Sequence, residues 1–285
     1  ARREPFKESV LQKALANRSV PAAEAPPAAP GRRSGVRPVE KAPAPPFWGR
    51  RVVPSGQIPL GDLWPLLDLP ELFKLQWGVR LKGEEYQRAV REEFGPRLTQ
   101  LEAEVQEKGW LTPRVVYGYF PCHAEGNDLV VLDPARRKQE LARLRFPRQP
   151  DERFLCLADY FREEPGSDVV AFQVVSVGDQ AGKAAEAMQE RGDYARALYL
   201  HGLAVETAEA LAEYWHRRVR GELSLPEGQG KRYSPGYPSW PELADQRTLW
   251  RLLEPDRSIG VSLTEADQMV PEASTSAVVL HHPEA

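Results

Sequence analysis

Cysteine is scarce in this chain of 285 residues: Cys122 and Cys156 are its only two. They form no C-x-x-C, and no histidine stands at metal-ligand spacing from either, which argues against zinc and for a reducing compartment. The expected location is the cytoplasm. Long apolar runs are missing as well, since no stretch approaches the eighteen or so residues of a membrane span, and the beginning is not signal-like. Neither a membrane span nor export is expected. Charge of one sign is also lacking: 38 Lys and Arg stand against 41 Asp and Glu, for a net charge of -3 with both signs interspersed. A nucleic-acid partner needs a basic face, so none is expected. The chain opens on Ala1 without Met, so it reads as a fragment of something longer.

Catalytic signatures are absent too. Gly228-Gln229-Gly230 follows a loop and precedes no helix, so the dinucleotide fingerprint fails, and neither a Walker pattern nor a G-x-S-x-G elbow occurs. Cys122 and His123 are adjacent in sequence, the wrong arrangement for an activated thiolate pair. His281 and His282 have no carboxylate or cysteine at ligand spacing, so no metal site is expected there. What remains is a former of pockets: one arginine, tyrosines and scattered carboxylates.

The most distinctive stretch that is present runs Arg232-Tyr233-Ser234-Pro235-Gly236-Tyr237-Pro238, after the glycine-rich Glu227-Gly228-Gln229-Gly230-Lys231. Its prolines and glycine fix an irregular backbone that presents an arginine and two tyrosines from a rigid loop. Such a loop is either a surface turn or a binding element. Its position between strongly patterned segments favours binding.

Upstream, residues 4–17 can make one short amphipathic helix that needs a partner. Val20 to Pro46 is Ala/Pro-rich with Arg32, Arg33 and Arg37, which is linker composition with no apolar face to bury. The division expected is residues 1–45 as remnant helix and linker, and 46–285 as one folded domain. Leu63 to Trp77, broken by Pro65 and Pro70, suits short helical turns, and within it Asp68 is either the N-cap of the turn at Pro70–Phe73 or a ligand-facing acid. Helices follow at 84–94 and 97–108, separated or kinked at Pro96 and ended by Gly109. Strand patterns at 115–120 and 128–133 flank a Gly/Asn turn as a hairpin, 141–146 alternates, and 168–177 reads as the most buried strand. Asp193 caps the longest helix, which runs to Arg220-Gly221 and carries Glu206, Glu209 and Glu213 on a charged face. A helix at 241–253, a strand at 259–263, a turn at 264–267 and a last strand at 276–280 complete an α+β fold. Its sheet is mostly antiparallel and its helices flank it.

The loop at Arg232 resembles the R-x-x-P-G-Y-P motif of the C-terminal activation domain of cobalamin-dependent methionine synthase. The resemblance extends in order through Pro46-Phe47-Trp48-Gly49, Leu67-Asp68, Leu72-Phe73, Gln76-Trp77-Gly78, Gly118-Tyr119-Phe120-Pro121, Phe146-Pro147-Arg148-Gln149, residues 212–220 and residues 271–276. It implies a module that binds S-adenosylmethionine and supports reductive methylation of cob(II)alamin to methylcobalamin. Its implied partners are the cobalamin-binding domain of the same enzyme and a flavodoxin or similar reductase. Carried over by motif position, Asp68 meets the ligand's amino group and Arg232 its carboxylate, while Ser234, Gly236 and Tyr237 form the loop face and Glu209 is a carboxylate near the sulfonium. A zwitterion suits one anion and one guanidinium fork. Where the family commonly has an aromatic residue after Ser-x-Ser-x, this chain has Val278-Val279-Leu280, so an adenine-facing tyrosine there is lost or replaced. The cobalamin-ligating D-x-H-x-x-G motif occurs nowhere in the chain, so cobalamin belongs to another domain. The alternative is a non-catalytic scaffold that docks the cobalamin domain and its electron donor.

Overall fold

A computed structural model of the chain describes residues 33–285, so the helix expected at 4–17 and the first part of the linker lie outside the described residues. Residues 33–46 carry neither helix nor strand, as their prolines dictate. They are nonetheless tied to the domain: Ser34 Oγ donates to Asp159 Oδ2 at 2.6 Å, and His282 Nε2 meets the Arg37 carbonyl at 2.9 Å.

Strand β1 (Gly49–Val53) is followed by two short 3-10 turns, Leu60–Asp62 and Trp64–Leu66, and by a tight turn at Leu69–Glu71 that widens into a π-helical turn at Leu72–Gln76. Pro65 and Pro70 each sit in the first turn of their segment, where the missing N–H costs nothing. Helix α1 (Gly83–Ala89) and helix α2 (Gly95–Lys108) are joined by a second π turn, Val90–Phe94, in which the Gly95 N–H reaches the Val90 carbonyl. Pro96 lacks an N–H and crowds the carbonyl one turn back, and the wider turn relieves both. Gly109 ends α2 in the left-handed conformation.

Strands β2 (Arg114–Glu125), β3 (Asp128–Leu132), β4 (Glu140–Arg145) and β5 (Asp168–Ser176) come next, then helices α3 (Gln180–Glu190) and α4 (Tyr194–Glu222) and strand β6 (Lys231–Tyr233). The remainder is α5 (Gln246–Leu253) with a single helical turn after it at Pro255–Ser258, the small pair β7 (Ser262–Leu263) and β8 (Met269–Val270), and β9 (Ser274–Leu280). The main sheet has seven strands in the order β4-β3-β2-β5-β9-β6, with β1 also on β2, and every pairing is antiparallel. This is the α+β arrangement read from the sequence.

Alternation along the central strands feeds two cores. Val115, Tyr117, Val169, Ala171, Val175 and Val279 face α4, whereas Val116, Phe120, Val170, Phe172, Val174 and Val278 face α5 and Trp240. Strand β5 is buried on both faces, which explains why it is apolar from Val169 to Val175 except at Gln173, whose amide donates to the Ala212 carbonyl at 3.0 Å. Two expectations shift. The last long helix begins at Gln246 rather than Pro241, because Leu243–Asp245 forms a 3-10 turn first, and the strand expected at 259–263 shrinks to Ser262–Leu263. Helix α3 is not announced by the sequence, since the face it buries is only Ala181, Ala185 and Met188.

Candidate functional site

Helix α4 is the element on which the candidate residues converge. Asp193 starts it by accepting the Arg196 N–H at 3.4 Å. Its buried stripe lies on the sheet, and its middle is covered by the turns at 60–77. Trp77 fixes that cover: it is buried among Phe73, Phe94 and Tyr199, and its indole N–H donates to the Tyr199 carbonyl at 3.1 Å. Gly202 permits the contact, because a Cβ there would stand 2.8 Å from Gln76 Cβ and 3.0 Å from Trp77 Cδ1.

One turn further along α4 the same cover brings in Asp68. Its side chain caps Leu69–Glu71, with Oδ1 accepting the Glu71 N–H at 3.0 Å, and its own N–H donates to Glu206 Oε1 at 3.2 Å. The capping reading is therefore realised. The cap uses one oxygen and leaves the residue exposed, so it fixes the carboxylate's direction without burying it.

Arg232 arrives from the other side. The sequence put it in an irregular loop, but it is the middle residue of edge strand β6 and pairs with Val279. Directly paired residues share a face. Val279 faces α4, so Arg232 does too, and its Nη2 lies 3.1 Å from Glu209 Oε2 with side chains 24% and 44% exposed. Asp68 and Arg232 thus meet the helix at Glu206 and Glu209, three residues or about 4.5 Å of rise apart. The loop proper begins at Ser234. Gly236 takes φ of 89°, which a side chain would strain, its N–H bonds to the Trp240 carbonyl at 2.8 Å, and Trp240 answers with an N–H to the Tyr237 carbonyl at 2.8 Å. Fully buried Trp240 packs edge-on against Phe146 and donates its indole N–H to Asp245 at 2.7 Å, so the loop is anchored while Tyr237 stands 61% exposed.

Glu206 corrects the reading of a solvated charged face. It is only 4% exposed, and burial, reinforced by Glu71, Glu209 and Asp68, pushes its carboxyl up to about 7. Glu213 goes the other way: hydrogen bonds from His216 and Arg217 hold it down to about 2, so it stays ionised and its charge is already paired. The burial of Glu206 is not visible in residue spacing, whereas the partners of Glu213 stand at i+3 and i+4 on the same helix. Val278, Val279 and Leu280 are buried in β9, with Val278 and Leu280 on the face away from α4, and supply no exposed ring.

The candidate residues lie on an open surface, with Asp68 and Tyr237 exposed. A cleft of about 410 Å³ lies elsewhere, lined by Arg33, Ser34, Val36, Asp159 and Phe161 among others, and none of Asp68, Glu209, Arg232, Ser234, Gly236 and Tyr237 borders it. Chemically, this surface offers an acceptor at Asp68, a guanidinium at Arg232, a carboxylate at Glu209 and an aromatic face at Tyr237. Cys122 is fully buried and its thiol is held well above its ordinary range by that burial, which suits a core residue. Among the described residues, no group of three His, Cys, Asp or Glu is placed to hold a metal, and no helix is long and apolar enough to cross a membrane.

Comparisons with known proteins agree on one relationship. The family model described as "Vitamin B12 dependent methionine synthase, activation domain" matches residues 72–285. Methionine synthase of Mycobacterium tuberculosis (strain ATCC 25618 / H37Rv) is 41% identical over 93% of this chain, and that of Mycobacterium leprae (strain TN) is 39% identical over the same share. The chain spans 24% of the length of each of these relatives. A crystal structure of the MetH reactivation domain bound to AdoHcy superposes with a TM-score of 0.74 at 27% identity, covering 86% of this chain and 82% of that one.

Proposed function

The chain belongs to the activation-domain family of vitamin B12 dependent methionine synthase, and on that premise we propose that it binds S-adenosylmethionine in the groove between Asp68 and Arg232. The observation that carries the proposal is the convergence of a capped, exposed carboxylate and a half-buried guanidinium on adjacent turns of α4. A methionyl zwitterion needs that pair of opposite charges, and the structural neighbour is bound to AdoHcy, which has the same amino and carboxylate ends. Arg232 receives the ligand carboxylate in fork geometry, Asp68 the ammonium, and Glu209 lies beside the sulfonium. Ser234, Gly236 and Tyr237 form the loop wall, and Tyr237 offers the accessible ring.

When bound, S-adenosylmethionine supplies the methyl group that restores cobalamin in the whole enzyme. Openness of the groove supports this role, because a methyl donor must be presented to an acceptor held by another domain. We place that acceptor on the cobalamin-binding domain of the same enzyme, with a flavodoxin-type protein as electron donor, in the cytoplasm.

Calorimetric titration of the chain with S-adenosylmethionine tests the reading. Arg232 is partly solvated and already paired, so its loss is set at about 2 kcal/mol, or about thirtyfold in affinity for Arg232→Ala. Arg232→Lys recovers part of this. Asp68→Asn keeps a capping side chain, so it should weaken binding with little change in melting temperature. Absence of binding at millimolar ligand would refute the proposal and favour a docking scaffold.

A further inference from the structure

The segment that covers α4 runs antiparallel to it and is fastened by polar contacts along its length. Asp62 accepts from the Tyr214 hydroxyl at 3.4 Å, the Asp68 N–H donates to Glu206 Oε1 at 3.2 Å, and the Trp77 indole donates to the Tyr199 carbonyl at 3.1 Å. The middle contact holds a candidate ligand residue, and it lies about 12 Å and about 10 Å of helix rise from the outer two. It is made by a side chain that burial ought to exclude. Glu206 is 4% exposed, and among the described residues the Asp68 N–H is its one hydrogen-bond partner. Burying a carboxyl there costs free energy that a leucine would not.

A nearer group stands at the position that ordinarily serves this N–H. Asp68-Leu69-Pro70-Glu71 has the spacing of a capping box, in which the acid at the third helical position reaches back to the N–H of the cap. Here the box closes locally on one side: Asp68 Oδ1 accepts the Glu71 N–H at 3.0 Å, but the reciprocal contact comes from Glu206. A box closed by Glu71 would hold the turn together without placing it. Closed from α4, the box also fixes the turn against the helix. The remaining hydrogen bonds of Asp68 stay within its own turn, from the Glu71 N–H to its side chain and from the Leu72 N–H to its carbonyl at 2.8 Å. Arg232 meets the same helix one turn further on, at Glu209.

We propose that Glu206 is a positioning residue of the S-adenosylmethionine site: it completes the Asp68 cap from α4 and so sets the distance between the carboxylate that receives the ligand's ammonium and the guanidinium that receives its carboxylate. The inference rests on the ligand reading of Asp68 and Arg232. Glu206 itself touches no ligand and acts through the Asp68 backbone.

The test is a double-mutant cycle read by calorimetric titration with S-adenosylmethionine, with hydrogen exchange at the Asp68 amide as an independent readout. Glu206→Gln keeps an acceptor in place and should bind within about twofold of wild type, whereas Glu206→Leu fills the space, accepts nothing and should bind about tenfold more weakly. Asp68→Asn should cost about tenfold in the wild-type background and almost nothing further in Glu206→Leu, while Arg232→Ala keeps its cost of about thirtyfold in both. A role in stability alone would leave Asp68→Asn equally costly in the two backgrounds. That result, or wild-type affinity in Glu206→Leu, overturns the role of Glu206 and leaves the site reading standing. If the wild-type protein does not bind the ligand, the site reading and this inference fall together. The Asp68 amide should exchange slowly in the wild type although the residue is exposed. That measurement needs no variant, and free exchange there overturns the inference even if Glu206→Leu folds poorly.

Discussion

Gly202 sets the distance between α4 and the turns that carry Asp68, and Gly202→Ala tests how tightly that distance controls the site. Taken alone, the substitution favours the helix by about 1 kcal/mol, because glycine is the costlier residue in a helix interior. Packing opposes this: the new methyl would stand 2.8 Å from Gln76 Cβ, 3.0 Å from Trp77 Cδ1 and 3.2 Å from Trp77 Nε1. Gln76 Cβ cannot swing away as a side-chain tip could, and the Trp77 ring is boxed in by Phe73, Phe94 and Tyr199. Overpacking of this kind costs about 1–3 kcal/mol, and a stretched Trp77–Tyr199 hydrogen bond adds about 1 kcal/mol. The clash therefore wins by about 1–3 kcal/mol, which lowers the melting temperature by about 2–4 °C for each kcal/mol in a domain of this size. Relief requires the 69–77 segment to lift, and Asp68 rises with it, so affinity for S-adenosylmethionine should fall in the same variant. Thermal unfolding followed by near-ultraviolet circular dichroism, together with calorimetric titration, measures both. A higher melting temperature with unchanged affinity would show that helix propensity prevails and that Gly202 does not position the site.

Three further outcomes are expected. Glu206 has a folded value of about 7, above that of an unfolded glutamate, so its contribution to stability is whole below about pH 4.5 and is lost as pH rises through 7; Glu206→Gln should gain about 2 kcal/mol on the wild type between pH 5 and pH 8, and parallel stability curves would contradict this. Arg148 and Asp159 form a buried pair at 2.8 Å that also receives Ser34, so Arg148→Ala should cost about 3–5 kcal/mol and open the backbone near residue 34 to limited proteolysis; a small loss with no new cleavage would refute it. A Cβ at Gly118 would lie 2.4 Å from the Gly49 carbonyl oxygen and 2.9 Å from Arg50 Cα, so Gly118→Ala should strip β1 from β2, read as lost amide-exchange protection confined to residues 49–53.

What was legible in the sequence follows the length and locality of each signal. Strand β5 was plain because a strand buried on both faces is apolar at most positions, here with Gln173 as the one polar residue between Val169 and Val175, and the hairpin of β2 and β3 because its turn residues lie between two long β-rich runs. Residue order along several motifs carried the family, which the match over residues 72–285 bears out. Strand β6 was hidden because three residues are too few to show a period, and its partner among the described residues, β9, lies more than forty residues away in sequence. Glu206 was hidden for a different reason. Its spacing from Glu209 and Glu213 is that of a wet helix face, and what buries it is the 60–77 segment folding over the helix from far upstream.

The two sequence readings of Asp68 need not compete. A cap that engages Oδ1 at 3.0 Å orients the carboxylate and leaves its second oxygen available on an exposed residue, so the local role serves the binding role. The Arg232–Glu209 pair works against the ligand to a degree, since a ligand carboxylate must draw the guanidinium from a partner 3.1 Å away. Only the difference between the two pairings counts toward affinity, which is why the loss expected for Arg232→Ala sits at the low end for a charged contact. Exchange also leaves Glu209 without its partner beside Glu206, at the position where a sulfonium can take the place of the guanidinium. Removing Glu209 therefore has opposite effects on the two ends of the ligand: Glu209→Gln frees Arg232 for the carboxylate but takes one negative charge from the sulfonium. S-adenosylhomocysteine, which has no charge on sulfur, should bind Glu209→Gln about as well as wild type or better, while S-adenosylmethionine should bind several-fold more weakly. Parallel losses for both ligands would place Glu209 outside the sulfonium end and return it to the simple role of holding Arg232.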